Sequence, residues 1–126
     1  MKILIYIVLF LPMLTFSQLQ PGISQGMAFL KKSESFYQKS EFDSAYYYAK
    51  KGYDLFNRIK NDSLITQATL KLMAVTDTIR EQDFYFDLLV EKSKKTKNWN
   101  LLAETYFTKG RYYFFNDDPE TALPFY

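Results

Sequence analysis

Between Pro21 and Pro119 the chain has no proline, and almost nothing in that stretch alternates polar and apolar residues as a strand would. Helix is what remains, since proline is the residue that most reliably breaks one. Apolar residues recur at helical spacing through Phe29 and Phe36, then Phe42, Ala45, Ala49, Tyr53 and Phe56, then Leu64, Ala68, Leu72, Val75 and Ile79, then Phe84, Leu88 and Leu89. Polar breaks at Lys39-Ser40-Glu41, Lys60-Asn61-Asp62, Glu81-Gln82-Asp83, Lys97-Asn98 and Asn116-Asp117-Asp118 divide the run. The pattern predicts an all-α chain with helices near 23–39, 42–59, 63–80, 83–96 and 99–115, and a sixth starting at 119. Asp62 and Asp118 are the clearest candidates to cap free amides, and Pro119 suits a first helical position.

The helices are similar in length, and their sequences repeat. Superposing 33–48 on 110–125 pairs Ser33 with Gly110, Phe36 with Tyr113 and Ala45 with Ala122, and upstream Phe29 with Tyr106, all 77 residues apart. A third unit lies between. Asn61-Asp62-Ser63-Leu64 and Asn98-Trp99-Asn100-Leu101 stand 37 apart, which leaves 40 for the first step. The expected hairpins are therefore about 23–60, 61–97 and 98–126.

Phe29, Ser33, Phe36 and Ala45, and again Tyr106, Gly110, Tyr113 and Ala122, give a large ring, a small residue four on, another ring, a turn and an alanine in the second helix. In this pattern the chain resembles the tetratricopeptide repeat family over about residues 24–126. The resemblance implies antiparallel helical hairpins stacked as a right-handed solenoid, about three repeats with the last incomplete. The small residue lets the paired helix approach, and Gly52 and Gly110 suit that role. The middle unit departs from the pattern, with Met73 in the small position and Tyr85 in the alanine position.

The N-terminus, MKILIYIVLFLPMLTFSQLQ, has the layout of a secretory signal peptide: one basic residue, an apolar core, then Thr15 and Ser17 ahead of Gln18. Cleavage is expected after Ser17, giving a signal peptide over 1–17, a linker over 18–22 and an exported, periplasmic chain. The glycines of Gly22-Ile23-Ser24-Gln25-Gly26 are read as linker. The apolar stretch, about 14 residues, falls short of the roughly 20 that span a bilayer. No stable membrane insertion is expected after cleavage, and the protein is anchored only if a parent chain continues.

The side chains most often used for catalysis are missing. With no cysteine and no histidine the chain lacks thiolate nucleophiles, the commonest general base near neutral pH and the commonest transition-metal ligand. Asp83, Asp87 and Glu91 share a helical face, but a straight ladder cannot wrap a cation, and the face is read as solvated. Asp117-Asp118 are read as capping residues. Lys92, Lys94, Lys95 and Lys97 favour a helix C-terminus, and a formal charge of +2 gives little attraction to nucleic acid. The expectation is a non-enzymatic protein with no cofactor, no metal and no nucleic-acid partner.

The resemblance further implies a concave groove lined by the first helix of each hairpin, here Leu30, Glu34 and Tyr37, then Leu70 and Asp77, then Phe107, Arg111 and Phe114. A peptide or protein partner bound there would meet rings for area, Arg111 for a carboxylate and Glu34 for a base. The short last helix leaves Leu123, Phe125 and Tyr126 at a terminus, so the chain is read as the N-terminal portion of a longer protein or as one that self-associates through its unfinished hairpin. By family analogy, the alternative role is the sensory N-terminal region of a longer bacterial regulator, a histidine kinase or an AraC-type transcription regulator.

Overall fold

The computed structural model describes residues 21–116 and 118–126. The expected signal peptide, its cleavage point and residues 18–20 of the linker lie outside the described residues. Five long helices follow one another: α1 Pro21–Gln38, α2 Phe42–Ile59, α3 Asp62–Val75, α4 Ile79–Thr96 and α5 Trp99–Phe115. A single turn, α6 Pro119–Ala122, runs into a 3-10 turn, Leu123–Phe125. Among the described residues there is no strand, and no helix is long and apolar enough to cross a membrane.

Each helix packs on its successor, and further contacts join α1 to α3 and α3 to α5. The larger core gathers Ala45 and Ala49 of α2, Leu72, Met73 and Val75 of α3, Tyr85 and Leu89 of α4, and Leu101 of α5. A smaller one joins Leu30, Phe56 and Ala68.

All four glycines lie inside helices, while the left-handed backbone positions among the described residues are Ser40, Lys60 and Lys97. Glycine here provides space, not turns. Where α1 crosses α2, a Cβ at Gly52 would lie 3.3 Å from the carbonyl oxygen of Gly26 and 2.8 Å from Cδ2 of Leu30. A Cβ at Gly26 would overlap the ring of Phe56, which is fully buried. Gly22 and Gly26 are thus part of α1 and not a linker: the first helix begins at Pro21, and its glycines make the contact. Ser33, also fully buried, adds a hydrogen bond from its hydroxyl to the carbonyl of Ala45 at 2.7 Å. Gly110 faces the chain end, where a Cβ would stand 3.1 Å from the ring of Tyr126 and 3.3 Å from Cβ of Phe125.

The junctions between hairpins are built alike. At the end of α2, Lys60 adopts φ 56° and Asn61 N–H donates to the Phe56 carbonyl; at the end of α4, Lys97 adopts φ 53° and Asn98 N–H donates to that of Ser93. Then Asn61 Oδ1 accepts from Leu64 N–H and Asn98 Oδ1 from Leu101 N–H, each at 3.1 Å. The cap of α3 is therefore Asn61, with Asp62 as the first helical residue, whereas Asp118 caps α6 as expected, accepting from Thr121 N–H at 3.2 Å. A left-handed turn followed by an asparagine cap ends one hairpin and starts the next.

The largest departure from the sequence reading lies between the third and fourth helices. The third helix stops at Val75, the fourth starts at Ile79, and the break falls at Thr76-Asp77-Thr78 instead of at Glu81-Gln82-Asp83. Thr78 caps α4 by accepting from Glu81 N–H at 3.3 Å. Gln82 is fully buried, and neither polar atom of its side chain has a hydrogen-bond partner among the described residues, an arrangement that costs about 1–3 kcal/mol. Asp83, its side chain 48% exposed, also pairs with Lys109 of α5 at 2.9 Å.

Two stability measurements check this packing. Gly26→Ala gains about 1 kcal/mol of helix propensity but forces a methyl into Phe56, an overpacking of roughly 1–3 kcal/mol; thermal denaturation should show a net loss, and a variant at least as stable as the parent contradicts the crossing. Lys60→Gly and Lys97→Gly remove left-handed strain and should each raise stability by about 0.5–1 kcal/mol in urea titrations, net of the added chain entropy. A loss at either position contradicts the shared junction.

Candidate functional site

Because hairpins reverse direction, α1, α3 and α5 lie side by side, and between them runs a concave groove of about 950 Å³. Its residues recur with the sequence repeat. Met27, Leu30, Lys31 and Glu34 of α1 are followed 40 residues on by Gln67, Leu70, Lys71 and Ala74 of α3, and 37 further by Glu104, Phe107, Thr108 and Arg111 of α5. The same four helical positions face the groove three times.

Of the eight residues expected there, the structure brings six together: Leu30, Glu34, Tyr37, Leu70, Phe107 and Arg111. Asp77 and Phe114 do not line it. Both occupy the position of Tyr37 in later repeats. Because α3 stops at Val75, Asp77 falls in the loop after it, and Phe114 is 57% exposed, its ring packed edge-on against Phe115. Leu30 is only marginally available, 5% exposed, because its side chain mainly fills the crossing beside Gly52. Sequence reasoning missed Met27, Lys31, Gln67, Lys71, Ala74, Glu104 and Thr108, which the 40- and 37-residue offsets would have supplied.

The charged groups are partly engaged within the molecule. Lys71 of α3 pairs with Glu34 of α1, and that hydrogen bond holds the Glu34 carboxyl below its ordinary range. The negative charge expected to receive a partner's base is therefore already matched. Arg111 of α5 donates to the Tyr37 hydroxyl at 3.0 Å, reaching α1 across the groove, and its guanidinium lies 5.4 Å from the ring centre of Tyr37 and 5.8 Å from those of Phe107 and Phe115. Burial raises the Tyr37 phenol, a neutral acceptor, and Arg111 forms no ion pair among the described residues. Lys109, nearly buried, joins Asp83 and lies 3.9 Å from the ring centre of Phe86, which fastens α5 to α4.

The loop after α3 is fixed by one carboxylate. Glu81 accepts from the hydroxyls of Tyr46 at 2.8 Å, Tyr85 at 3.2 Å and Thr76 at 3.0 Å, tying α2 to the α3–α4 connection. Burial, then the hydrogen bond and charge of Glu81, push the Tyr46 hydroxyl up to about 12, and burial with the Glu81 charge raises Tyr85 as well. Among the described residues no group of acidic side chains converges as a metal site. Compared with family models, with curated proteins and with solved structures, the chain matches none.

The tyrosine cluster sets a pH dependence. In the unfolded chain a phenol loses its proton near about 10, whereas Tyr46 holds it to about 12 in the fold. Its contribution is fully present below pH of about 10 and is lost as pH rises through about 12. Urea titrations across that window should show stability falling, with a shallower fall in Tyr46→Phe; an identical slope in the variant contradicts the assignment.

Proposed function

We propose that residues 21–126 are a tetratricopeptide-like right-handed solenoid acting as an exported, non-enzymatic scaffold, and that it binds a peptide or protein segment in the groove between α1, α3 and α5. The observation that carries this reading is the recurrence of groove positions at the sequence repeat, with like positions on three parallel helices gathered along one concave face. Met27 and Phe107 are exposed apolar side chains that provide area, with Leu70 between them on α3. Arg111 supplies a charge for a partner's carboxylate, and Glu104, exposed and without an ion-pair partner among the described residues, replaces Glu34 as the group for a base. No nucleic acid, cofactor or metal enters this reading. Export rests on the signal-like N-terminal segment.

The same scaffold would serve the sensory region of a longer signal-transducing regulator. Leu123 and Tyr126 are 71% and 62% exposed beside the single turn α6, an apolar surface on which a further helix or a second copy of the chain would pack.

Selection of a displayed random-peptide library on the purified protein tests the groove. Enriched peptides should lose about tenfold or more in affinity with Met27→Glu or Phe107→Glu, whose exposed positions leave the core intact, and none with Asp87→Asn on α4. Failure to enrich any sequence, or enrichment indifferent to both groove substitutions, contradicts the proposal.

A further inference from the structure

With α1, α3 and α5 parallel, their C-terminal ends collect at one edge of the molecule. There Tyr37 of α1, Ala74 and Val75 of α3, and Tyr112 and Phe115 of α5 enclose, together with α2, a second cavity of about 690 Å³. Tyr37, Ala74, Val75 and Tyr112 form the wall between this cavity and the groove. Its size is that of a small-molecule site, roughly 300–1,000 Å³.

Two features of the cavity favour positive charge. Its lining is rich in rings, with Phe42 and Tyr46 of α2 facing it alongside Tyr112 and Phe115. Ring faces attract cations, organic ones above all. Asp43 and Asp77, both exposed at its edge, have no ion-pair partner among the described residues.

Of the other charges at the cavity, Lys50 is paired with a carboxylate and Lys51 stands over rings without an ion-pair partner among the described residues. Asp54 holds Lys50 at 3.4 Å, and the Lys51 ammonium lies 4.7 Å from the ring centre of Tyr47 and 5.3 Å from that of Phe29. Two rings of the lining already hold a cation of this chain, the Arg111 guanidinium over Tyr37 and Phe115. The Tyr112 hydroxyl is raised by burial first and then by negative neighbours, Asp77 among them. A bare divalent ion is a poor occupant, because no set of acidic ligands converges there.

We propose that this cavity binds a small alkylammonium ion, its charge toward Asp77 and Asp43 and its alkyl groups against the rings of Phe42, Tyr46 and Tyr112. The site is independent of peptide binding in the groove and stands or falls separately.

Choline and 3,3-dimethylbutan-1-ol, which share a shape and differ in charge, are the probes. Titrated into the isotope-labelled protein, choline should move the resonances of Tyr46, Asp77 and Tyr112 saturably with a dissociation constant in the millimolar range. The neutral alcohol should bind at least about fivefold more weakly, and Asp77→Asn, an exposed loop change, should weaken choline by about fivefold. Asp87→Asn should leave choline binding unchanged. Equal binding of the two probes, shifts centred on Met27 and Phe107 in the groove, or no saturable shift at all would each overturn the proposal.

Discussion

The fold depends on how closely α1 lies on α2. Ala45, Ala49 and Gly52 form a stripe of small residues down one face of α2, with Phe56 below them, and all four are buried. Gly26 accommodates the Phe56 ring, Gly52 admits Leu30, and the Ser33 hydroxyl binds the Ala45 carbonyl. Contact at this range fixes rotation as well as distance. With Gly26, Leu30 and Ser33 turned toward α2, helical spacing turns Met27, Lys31 and Glu34 to the neighbouring face, where α3 leaves a groove.

Rotation is propagated from one hairpin to the next by a repeated junction. Lys60-Asn61 and Lys97-Asn98 use the same left-handed turn and the same asparagine cap, so α3 and α5 start in equivalent orientations and present equivalent residues. Polar side chains then join elements far apart in sequence: Glu34 to Lys71, Asp62 to Lys92, Asp83 to Lys109, and Tyr37 to Arg111. Each partly exposed pair contributes little alone, about 0–1 kcal/mol. Lys109 is the exception by burial, clasped by Asp83 and by the rings of Phe86 and Phe125.

Much of this was legible in the sequence because helix and repeat leave periodic signals. The missing prolines and the apolar spacing located five long helices, and the family resemblance pointed to eight groove residues, of which six line one groove. What was hidden involved local chemistry with two readings. Glycine near an N-terminus reads as linker by composition, and only a bulky partner such as Phe56 reveals its role as a contact. Glu81-Gln82-Asp83 reads as a polar break, yet Thr78-Ile79-Arg80-Glu81 is a threonine cap with an acid three residues on, which starts α4 earlier. That early start cost α3 its last turn, and with it the groove position expected of Asp77.

The central claim is that three hairpins close into one body whose first helices share a groove, and Tyr37 and Arg111 touch only if they do. They stand 74 residues apart, yet the guanidinium lies 3.0 Å from the Tyr37 hydroxyl. The direct measurement is a nuclear Overhauser spectrum of the protein in solution. Cross-peaks between the Arg111 side chain and the ring protons of Tyr37 and Phe115 are expected. Their absence, with the Ser33 to Ala45 contact within the first hairpin still present, would show hairpins that form without closing the groove and would contradict the account.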